Sequence, residues 1–522
     1  MTRTAADIGA GLAPARVARP IKPAERIHIV GAAGAGASAA ALHAAWAGAN
    51  VDGCDPGAPS PYTAALAAAG IPISDRHDAG HVSDALPGID RLAVTKALTA
   101  IAPDHPELEA ARAAGVPLEA WQQLVADAAA GRTLVAVAGT HGKSTSAGWL
   151  VHVLVSAGAD PAAFVGALLP AELTGGTPAT ARRGGGGTFV VEADEYAGNF
   201  EPFRPALAVV TAVDWDHPDV FADRDAVEVA FEGWLRRAGE GSGRPPTLVA
   251  NVADPGVAAV LDRLGEWPGR LVATALVEAA PQRVGSYASG IAERFRTSAG
   301  PAIALVGRLA GGDPAGTRIE LHLGDSVGPR SARLALAGRH NAANALGVAG
   351  AAIELGLAVP VVTEALGSYR GVGRRLERKG EAAGVVVYDD YAHHPTAIRA
   401  TIGALRQLEP GRRLWAVHEP LTFHRTAALL GDLAGALALA DAVVVADIWP
   451  GRDPDTTIAS AEGVAATVAR LAPRLPIAAP GSVEAAASWL ADEVRSGDAV
   501  LVMGGGRSYR IGELLLAALA DR

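Results

Sequence analysis

Residues 139–144 read Gly-Thr-His-Gly-Lys-Ser and follow the apolar run 134–138, so a predicted strand leads into a glycine loop. Glycines allow the backbone N–H groups of such a loop to turn toward a polyphosphate. Lys143 could reach the terminal phosphates, and the hydroxyl of Ser144 could bind Mg²⁺. The loop is shorter than the common nucleotide-binding loop, because Val137 stands where the first glycine of that loop would be. This segment predicts that the protein uses ATP.

Carboxylates and an imidazole follow two further predicted strands. The first strand ends in Val-Glu-Ala-Asp-Glu at 191–195, and the second leads to Asp-Trp-Asp-His at 214–217. Parallel strands bring their carboxyl ends to one edge of a sheet, so these groups are expected near the phosphate loop. Each group alone could be a helix cap or part of a solvated turn. Together, beside a Lys-Ser loop, their oxygen atoms favour a Mg²⁺ site.

Three polar segments stand in the last third of the chain. Asn341 and Asn344 lie three residues apart on one predicted helical face, so both amides could reach an adenine edge or cap the helix. The turn 371–375 carries two arginines that suit a phosphate or a carboxylate, and a solvated basic turn is the alternative. Residues 389–395, Asp-Asp-Tyr-Ala-His-His-Pro, follow a predicted buried strand and supply an acid, a phenol and imidazoles.

A second glycine loop lies near the start of the chain, at 31–36, between a predicted strand and an alanine-rich helix. A diphosphate could bind there, although close helix packing would also call for glycine. Asp55 ends the next predicted strand, where it could accept a hydrogen bond from a ribose or sugar hydroxyl. Its neighbour Cys54 is expected to be a small packed residue.

The elements that must position these groups alternate between strand and helix, which predicts parallel α/β sheets. At 522 residues the chain is too long for one core, and three domains are expected. The predicted divisions are a disordered tail at 1–24, a Rossmann-like domain at 25–130, a central ATP-binding domain at 131–336 and a Rossmann-like domain at 337–522. The distal part of the central domain alternates in the manner of antiparallel strands, so its sheet is expected to be mixed.

Composition excludes several classes of partner. The net charge of −10 argues against binding to a nucleic-acid backbone. The single cysteine rules out an internal disulfide and suits a reducing compartment. No run approaches the ~20 uninterrupted apolar residues of a membrane span. The sequence therefore predicts a cytoplasmic protein with no nucleic-acid or membrane partner.

These segments occur in the order and at roughly the spacing found in the Mur ligases, the ATP-dependent enzymes that build the peptide stem of peptidoglycan. The chain resembles that family over nearly its whole length after residue 24. Within the family it is most similar to the members that join L-alanine to UDP-N-acetylmuramate. The stretches that carry the resemblance are 31–36, 53–55, 139–145, 192–195, 216–217, 338–344, 371–375, 389–395 and, in part, 420–426.

The resemblance implies roles for individual residues, with Mg²⁺ or Mn²⁺ as the metal and ATP as co-substrate. The implied metal ligands are Ser144, Glu192 and His217. The implied ATP-binding residues are Gly139, Thr140, His141, Gly142, Lys143, Ser144, Thr145, Asn341, Asn344, Arg374 and Asp390. The implied UDP-sugar-binding residues are Gly31, Gly34, Gly36 and Asp55. The amino acid would meet Tyr391, His393 and Arg425, and the implied catalytic residues are Lys143, His217, His393 and Arg425.

The implied reaction proceeds through an acyl phosphate, which the amine then attacks, in a monomer or a homodimer. Two segments depart from the family pattern. The turn 420–425 reads Pro-Leu-Thr-Phe-His-Arg, with Leu421 and Thr422 in place of a histidine and an arginine, and the segment 196–200 lacks an acidic residue that is common there. Two alternatives therefore stay open. One is the related ligase that reattaches a recycled tripeptide to UDP-N-acetylmuramate. The other is a paralogue that binds nucleotide sugar without ligating it.

Overall fold

The computed structural model describes residues 7–84, 88–323, 327–451, 453 and 455–521. Three sheets account for nearly all the strands, and each sheet falls within one of the three expected domains. The three-domain α/β fold predicted from the sequence is confirmed. Among the described residues, none of the helices combines the length and the apolar character needed to cross a bilayer.

The first domain has a five-stranded, wholly parallel sheet with the strand order of a Rossmann-like unit. In spatial order its strands are Ile73–Ser74, Asn50–Cys54, Arg26–Val30, Arg91–Val94 and Leu118–Ala120. Its helices are Ala35–Trp46, Thr63–Ala68, Gly80–Ser83, Lys96–Ile101, Pro106–Ala114 and Trp121–Ala128.

The segment expected to be a disordered tail is ordered from residue 7, so that prediction is wrong for 7–24. Ile8 is buried against Tyr196 of the central domain. Arg16 pairs with Asp127 at 2.7 Å and with Glu119 at 3.2 Å. The alanine- and arginine-rich composition concealed these anchors, because their partners are distant in the chain. Residues 1–6 lie outside the described part of the chain.

The central domain has a ten-stranded mixed sheet with a parallel middle and antiparallel strands at both ends. In spatial order the strands are Val327–Leu334, Gly316–Leu323, Ile303–Asp313, Arg270–Val277, Thr247–Asn251, Leu207–Val210, Thr133–Ala138, Thr188–Ala193, Ala162–Leu169 and Ala179–Arg182. The two-stranded ribbon Arg296–Thr297 and Gly300–Pro301 is separate. The helices are Lys143–Ser156, Ala171–Thr174, Arg224–Leu235, Pro255–Leu264 and Val284–Arg294, with short 3₁₀ turns at Tyr196–Gly198 and Pro281–Arg283.

The helices Arg339–Glu354 and Val359–Ser368 pack on this central sheet, although the sequence assigned them to the third domain. The contact is close: a Cβ on Gly350 would lie 2.9 Å from a methyl of Val249. The sequence boundary at 337 came from a change in pattern, and a largely apolar helix does not reveal which sheet it covers. We therefore propose that the central domain extends to about residue 372.

The third domain has a six-stranded sheet that is parallel except at one edge. In spatial order the strands are Glu377–Ala382, Val385–Asp390, Asp498–Gly504, Arg413–Glu419, Ala442–Ala446 and Ile477–Gly481. The helices are Pro395–Leu408, Phe423–Ala428, Leu430–Leu437, Ala461–Leu471, Val483–Glu493 and Tyr509–Ala520. The five parallel strands end on the side that faces the central domain, which places the loops after them at a shared cleft.

Candidate active site

A cleft of about 780 Å³ lies where the three domains meet. The first domain contributes Tyr62, the central domain contributes its phosphate loop, and the third domain contributes Arg425. The loops that follow parallel strands therefore supply most of the lining, as expected for α/β folds. The predicted site residues that line this cleft are Thr140, His141, Gly142, Lys143, Ser144, Glu192, His217, Arg374, Tyr391, His393 and Arg425.

The phosphate loop has the predicted strand–loop–helix form, between the strand Thr133–Ala138 and the helix Lys143–Ser156. Gly139 and Gly142 have φ angles of 141° and 81°, in the region that favours glycine. A Cβ on Gly142 would also lie 2.6 Å from the Asn344 side-chain oxygen. Only glycine satisfies both the backbone conformation and the close approach of that asparagine.

Lys143 is held by two carboxylates in the cleft. Its Nζ lies 2.8 Å from Glu195 Oε2 and 3.5 Å from Asp194 Oδ1. Burial disfavours the ammonium charge, but Glu195 and Asp194 outweigh that effect and raise the pKa of Lys143. Lys143 is therefore cationic at neutral pH. Sequence reasoning placed these two acids at the sheet edge but did not assign them to the lysine.

Two groups of candidate metal ligands lie beside the lysine. Ser144 Oγ donates to Glu192 Oε1 at 2.9 Å, which brings two of the predicted metal ligands together. The third, His217, instead clusters with Asp194 and Glu195, with candidate ligand atoms all within 4.8 Å. Hard oxygen donors such as these fit Mg²⁺ or Mn²⁺. The geometry thus divides the predicted ligand set between two neighbouring positions.

A buried ion pair joins the third domain to the central domain at the cleft. Arg425 donates to Asp216 Oδ1 from Nε at 2.8 Å and from Nη2 at 2.5 Å, and both residues are about 5% exposed. Burial disfavours the carboxylate charge, but Arg425 and His217 hold the pKa of Asp216 well below its usual range. Nη2 also donates to His217 Nδ1 at 3.1 Å. Asp216, which the sequence placed only among the possible oxygen ligands of a metal, accepts from Arg425 and lies 3.8 Å from His217 Nε2.

The ring of His393 is fixed by a bond to its own segment. Its Nδ1 lies 2.9 Å from the carbonyl oxygen of Tyr391, and a carbonyl can only accept, so Nδ1 carries the ring proton. The lone pair of Nε2 is left facing Asp216, whose Oδ2 lies 3.9 Å away. Burial and the nearby Arg425 lower the pKa of His393 to about 4, so the ring is neutral at neutral pH.

Of the two arginines in the turn 371–375, Arg375 is the one that reaches across the cleft, although the sequence assigned a role only to Arg374. Arg374 is bonded within its own domain, to the Gly504 carbonyl at 2.8 Å and the Ser508 hydroxyl at 2.9 Å. Arg375 donates from Nη2 to Ser144 Oγ at 3.0 Å, across the domain boundary. Adjacent arginines point in different directions, and spacing alone did not indicate which one faces the phosphate loop. A nucleotide contact by Arg374 stays a prediction.

Asp390 serves the backbone of its own domain: its two oxygens each accept a 2.7 Å bond, from Leu376 N and Ala392 N. Asn341 donates to the Ala337 carbonyl at 2.8 Å and accepts from Asn344 at 3.4 Å. These bonds fix local structure, and contacts of the three side chains with nucleotide remain predictions.

The flanks of the phosphate loop are also tied to neighbouring elements. The Thr140 hydroxyl donates to the Asp214 carbonyl at 3.1 Å, and the Thr145 carbonyl accepts from the Tyr369 hydroxyl at 3.4 Å. His141 Nε2 lies 3.7 Å from Asp214 Oδ2. The loop is thus preorganised by contacts on both sides.

The glycine loop of the first domain is shaped by packing. A Cβ on Gly36 would lie 2.1 Å from Trp121, and Gly34 N donates to the Gly31 carbonyl at 3.1 Å. Asp55 accepts from Ala33 N at 3.0 Å, so it fastens the loop. Gly36 also lines a cavity of about 180 Å³ that shares Glu192 and Asp194 with the cleft. The UDP-sugar contacts of these residues remain predictions.

The altered turn 420–425 places apolar groups beside Arg425. Leu421 pairs in a short β-bridge with Trp449, and both residues line the cleft. Thr422 has a φ of 61°, and its backbone N donates to the Trp449 carbonyl at 2.9 Å. His424 lies 3.2 Å from Asp453, so it is paired within its own domain.

Three domain families match successive parts of this chain. They are the Mur ligase family catalytic domain at 26–133, the Mur ligase middle domain at 137–352 and the Mur ligase glutamate ligase domain at 374–506. The middle-domain match includes most of the helix Arg339–Glu354, in agreement with its packing.

Curated relatives and solved structures give the same grouping. UDP-N-acetylmuramate–L-alanine ligases from Frankia casuarinae and Kineococcus radiotolerans are 38% and 39% identical in sequence to this chain. Both alignments cover 95% of this chain, and they cover 98% of the Frankia protein and 97% of the Kineococcus protein. The fold is that of the UDP-N-acetylmuramate–alanine ligase of Thermotoga maritima, with a TM-score of 0.70, 23% identity and coverage of 94% and 98%. A murein peptide ligase from Psychrobacter arcticus gives a TM-score of 0.67 at 23% identity, with coverage of 95% and 99%. The chain therefore belongs to the Mur ligase family.

Proposed function

We propose that this chain is an ATP-dependent ligase that joins L-alanine to the carboxylate of UDP-N-acetylmuramate in peptidoglycan synthesis. One observation carries the proposal: the Lys143–Ser144 phosphate loop and the third-domain residues His393 and Arg425 line a single cleft. Both halves of a two-step ligation can therefore take place without release of an intermediate. The names and full-length coverage of the curated relatives support the choice of substrates.

In the first step the substrate carboxylate attacks the γ-phosphate of ATP, and ADP leaves. Lys143 neutralises charge on the transferred phosphoryl group. Before ATP binds, Glu195 and Asp194 hold the ammonium in place, and the phosphates then replace these partners. Mg²⁺ or Mn²⁺ held by Ser144 and Glu192 would supply further positive charge at the phosphates.

In the second step the amine attacks the acyl phosphate. A C–N bond forms, the C–O bond to phosphate breaks and inorganic phosphate leaves. His393 Nε2 accepts the proton that the amine loses, because the ring is neutral. Arg425, whose charge contributes to the lowered pKa of His393, stabilises the tetrahedral oxyanion. The enclosing domains limit water, which would otherwise hydrolyse the acyl phosphate.

The test is phosphate release from ATP in the presence of Mg²⁺ and UDP-N-acetylmuramate, with L-alanine, glycine, L-serine or the tripeptide added separately. Release with formation of the matching product is expected with L-alanine. Lys143→Ala should abolish ADP formation while the circular dichroism spectrum is retained, and Lys22→Ala, at an exposed position, should behave as wild type.

Two results would redirect the proposal. Product formation only with the tripeptide would assign the chain to tripeptide recycling, with the apolar wall at Leu421 and Trp449 as its amine-binding feature. Binding of UDP-N-acetylmuramate without phosphate release for any amine would indicate a non-catalytic paralogue. Turnover retained by Lys143→Ala would contradict the assignment of the phosphate loop.

A further inference from the structure

A second cluster of metal-ligating side chains lies in the first domain, outside the set of residues that line the cleft. It gathers His28 from the strand Arg26–Val30 and Cys54 from the end of the neighbouring strand. His81 comes from the helix Gly80–Ser83, and Glu107 comes from the first turn of the helix Pro106–Ala114. Four separate elements therefore converge on one point beneath these two helices.

The four side chains are close enough to share one ion. Around Glu107 Oε1, the His81 Nδ1 atom lies at 2.5 Å, Cys54 Sγ at 3.1 Å and His28 Nε2 at 3.7 Å. The candidate ligand atoms all lie within 4.8 Å of one another. With zinc-to-ligand bonds of about 2.0–2.3 Å, neighbouring atoms of a tetrahedral site stand about 3.3–3.6 Å apart. Most of the observed separations are within about 1 Å of that range.

We propose that His28, Cys54, His81 and Glu107 form a tetrahedral site for Zn²⁺ or a divalent transition metal of similar preference. The donor set is one thiolate, two imidazoles and one carboxylate, which suits zinc and does not suit Mg²⁺. Binding replaces the thiol proton of Cys54, which leaves to solvent as the sulfur–metal bond forms. The site is distinct from the proposed Mg²⁺ position in the cleft.

The orientation of His28 supports this assignment independently. Its Nδ1 lies 2.6 Å from Asp52 Oδ1, and a carboxylate only accepts, so Nδ1 carries the ring proton. In the neutral ring, Nε2 then presents a lone pair toward the cluster. His28 is only 2% exposed, and within the described part of the chain its Nε2 has no hydrogen-bond partner. A carboxylate that fixes the far nitrogen of a histidine is the usual outer partner of a metal ligand.

The surroundings provide both enclosure and access. Cys54 and Glu107 are fully buried, which protects a bound ion from solvent. The side chains of His81 and His77 are 23% and 26% exposed, so an ion can enter past them. His77 Nδ1 lies 3.1 Å from Cys54 Sγ and could take over a ligand position during entry. The Cys54 carbonyl accepts from Gly31 and Ala32, so the site also underlies the first-domain glycine loop.

The experiment exploits the fact that the chain has a single cysteine. The full-length protein is freed of metal with EDTA, supplied with excess Mg²⁺ to occupy the cleft and titrated with Co²⁺. A thiolate-to-cobalt charge-transfer band in the near ultraviolet can then arise only from Cys54. We expect one equivalent of Co²⁺ to produce this band together with tetrahedral ligand-field bands, and Zn²⁺ to abolish both by displacement.

Variants identify the remaining ligands. Cys54→Ser should lose the charge-transfer band, and His81→Ala should weaken Zn²⁺ binding by at least about tenfold. Asp52→Asn should weaken it about 10- to 100-fold through the orientation of His28. His322→Ala, on a central-domain strand, is the matched control and should bind as wild type. His81 is partly exposed and its loss is expected to leave the fold intact, which circular dichroism checks.

Two outcomes would overturn the proposal. One is the lack of a thiolate band at saturating Co²⁺ in the folded wild-type protein. The other is Zn²⁺ affinity that is unchanged in both Cys54→Ser and His81→Ala. In either case the cluster would be a network of hydrogen bonds alone.

Discussion

Replacing Arg425 by methionine tests the buried ion pair that joins the third domain to the central domain. The change removes a guanidinium that makes bonds of 2.8 and 2.5 Å to Asp216 Oδ1 and keeps an apolar side chain of similar length. For two charges about 4 Å apart at an effective dielectric constant of about 20, the attraction is ~4 kcal/mol. Measured losses from breaking one side of a buried pair are about 3–5 kcal/mol. We therefore expect a fall of about 3–5 kcal/mol in the free energy of unfolding.

The assay is urea unfolding at pH 7, followed by tryptophan fluorescence, for Arg425→Met, Asp216→Asn and the double variant. The double variant should recover part of the loss, because neither charge is then left unpaired in the interior. Arg399→Met is the control: Arg399 lies 3.8 Å from Asp432, both side chains are well exposed, and such pairs contribute at most about 1 kcal/mol.

The reasoning would be refuted by a loss in Arg425→Met no larger than that in Arg399→Met. It would also be refuted by losses in the two single variants that simply add in the double variant. The first result would mean that the cleft is wet enough to screen the pair, and the second that the two charges act independently.

Three further predictions concern the cleft. Arg375→Ala removes the charge-assisted hydrogen bond to Ser144, and such bonds contribute about 1.5–3 kcal/mol. The variant should therefore lower kcat/KM for ATP by about 10- to 150-fold. Arg370→Ala, at an exposed position nearby, is the control. Gly142→Ala should abolish ATP binding measured by calorimetry, because the added Cβ would collide with Asn344. Gly158 has the same φ of 81°, but no atom lies within 4 Å of an added Cβ, so Gly158→Ala should bind ATP normally. Since the pKa of His393 falls from 6.5 to about 4 on folding, the unfolded chain binds more protons between those values. His393 should therefore contribute a fall of up to ~3 kcal/mol in the free energy of unfolding as pH drops from 6.5 to 4, and His393→Asn should remove that contribution in urea unfolding at several pH values.

The sequence was most informative where one local pattern specifies both backbone and chemistry. The strand, glycine loop and helix around Lys143 need particular residue types in a fixed order, so the loop was predicted correctly. The three-domain α/β fold followed from the alternation of strand and helix. The mixed central sheet followed from its period-two segments near residues 318 and 332.

The sequence was least informative where the outcome depends on partners distant in the chain. Composition suggested a disordered tail, yet Arg16 finds Asp127 across the first domain. Neighbouring Arg374 and Arg375 have the same side chain, yet Arg374 bonds within its own domain and Arg375 bonds to Ser144 of the central domain. Such choices are made by tertiary packing, which a local pattern does not encode.

The two arginines that cross from the third domain bear on how this protein could be recombined. Arg375 bonds to Ser144 and Arg425 bonds to Asp216, so each contact has one half on either side of the domain boundary. A chimera that exchanges the third domain to alter the amine substrate would inherit only one half of each contact. Such an exchange needs a donor domain that carries both arginines at matching positions, or compensating changes in the central domain. The unit that can be inherited intact is therefore the pair of domains.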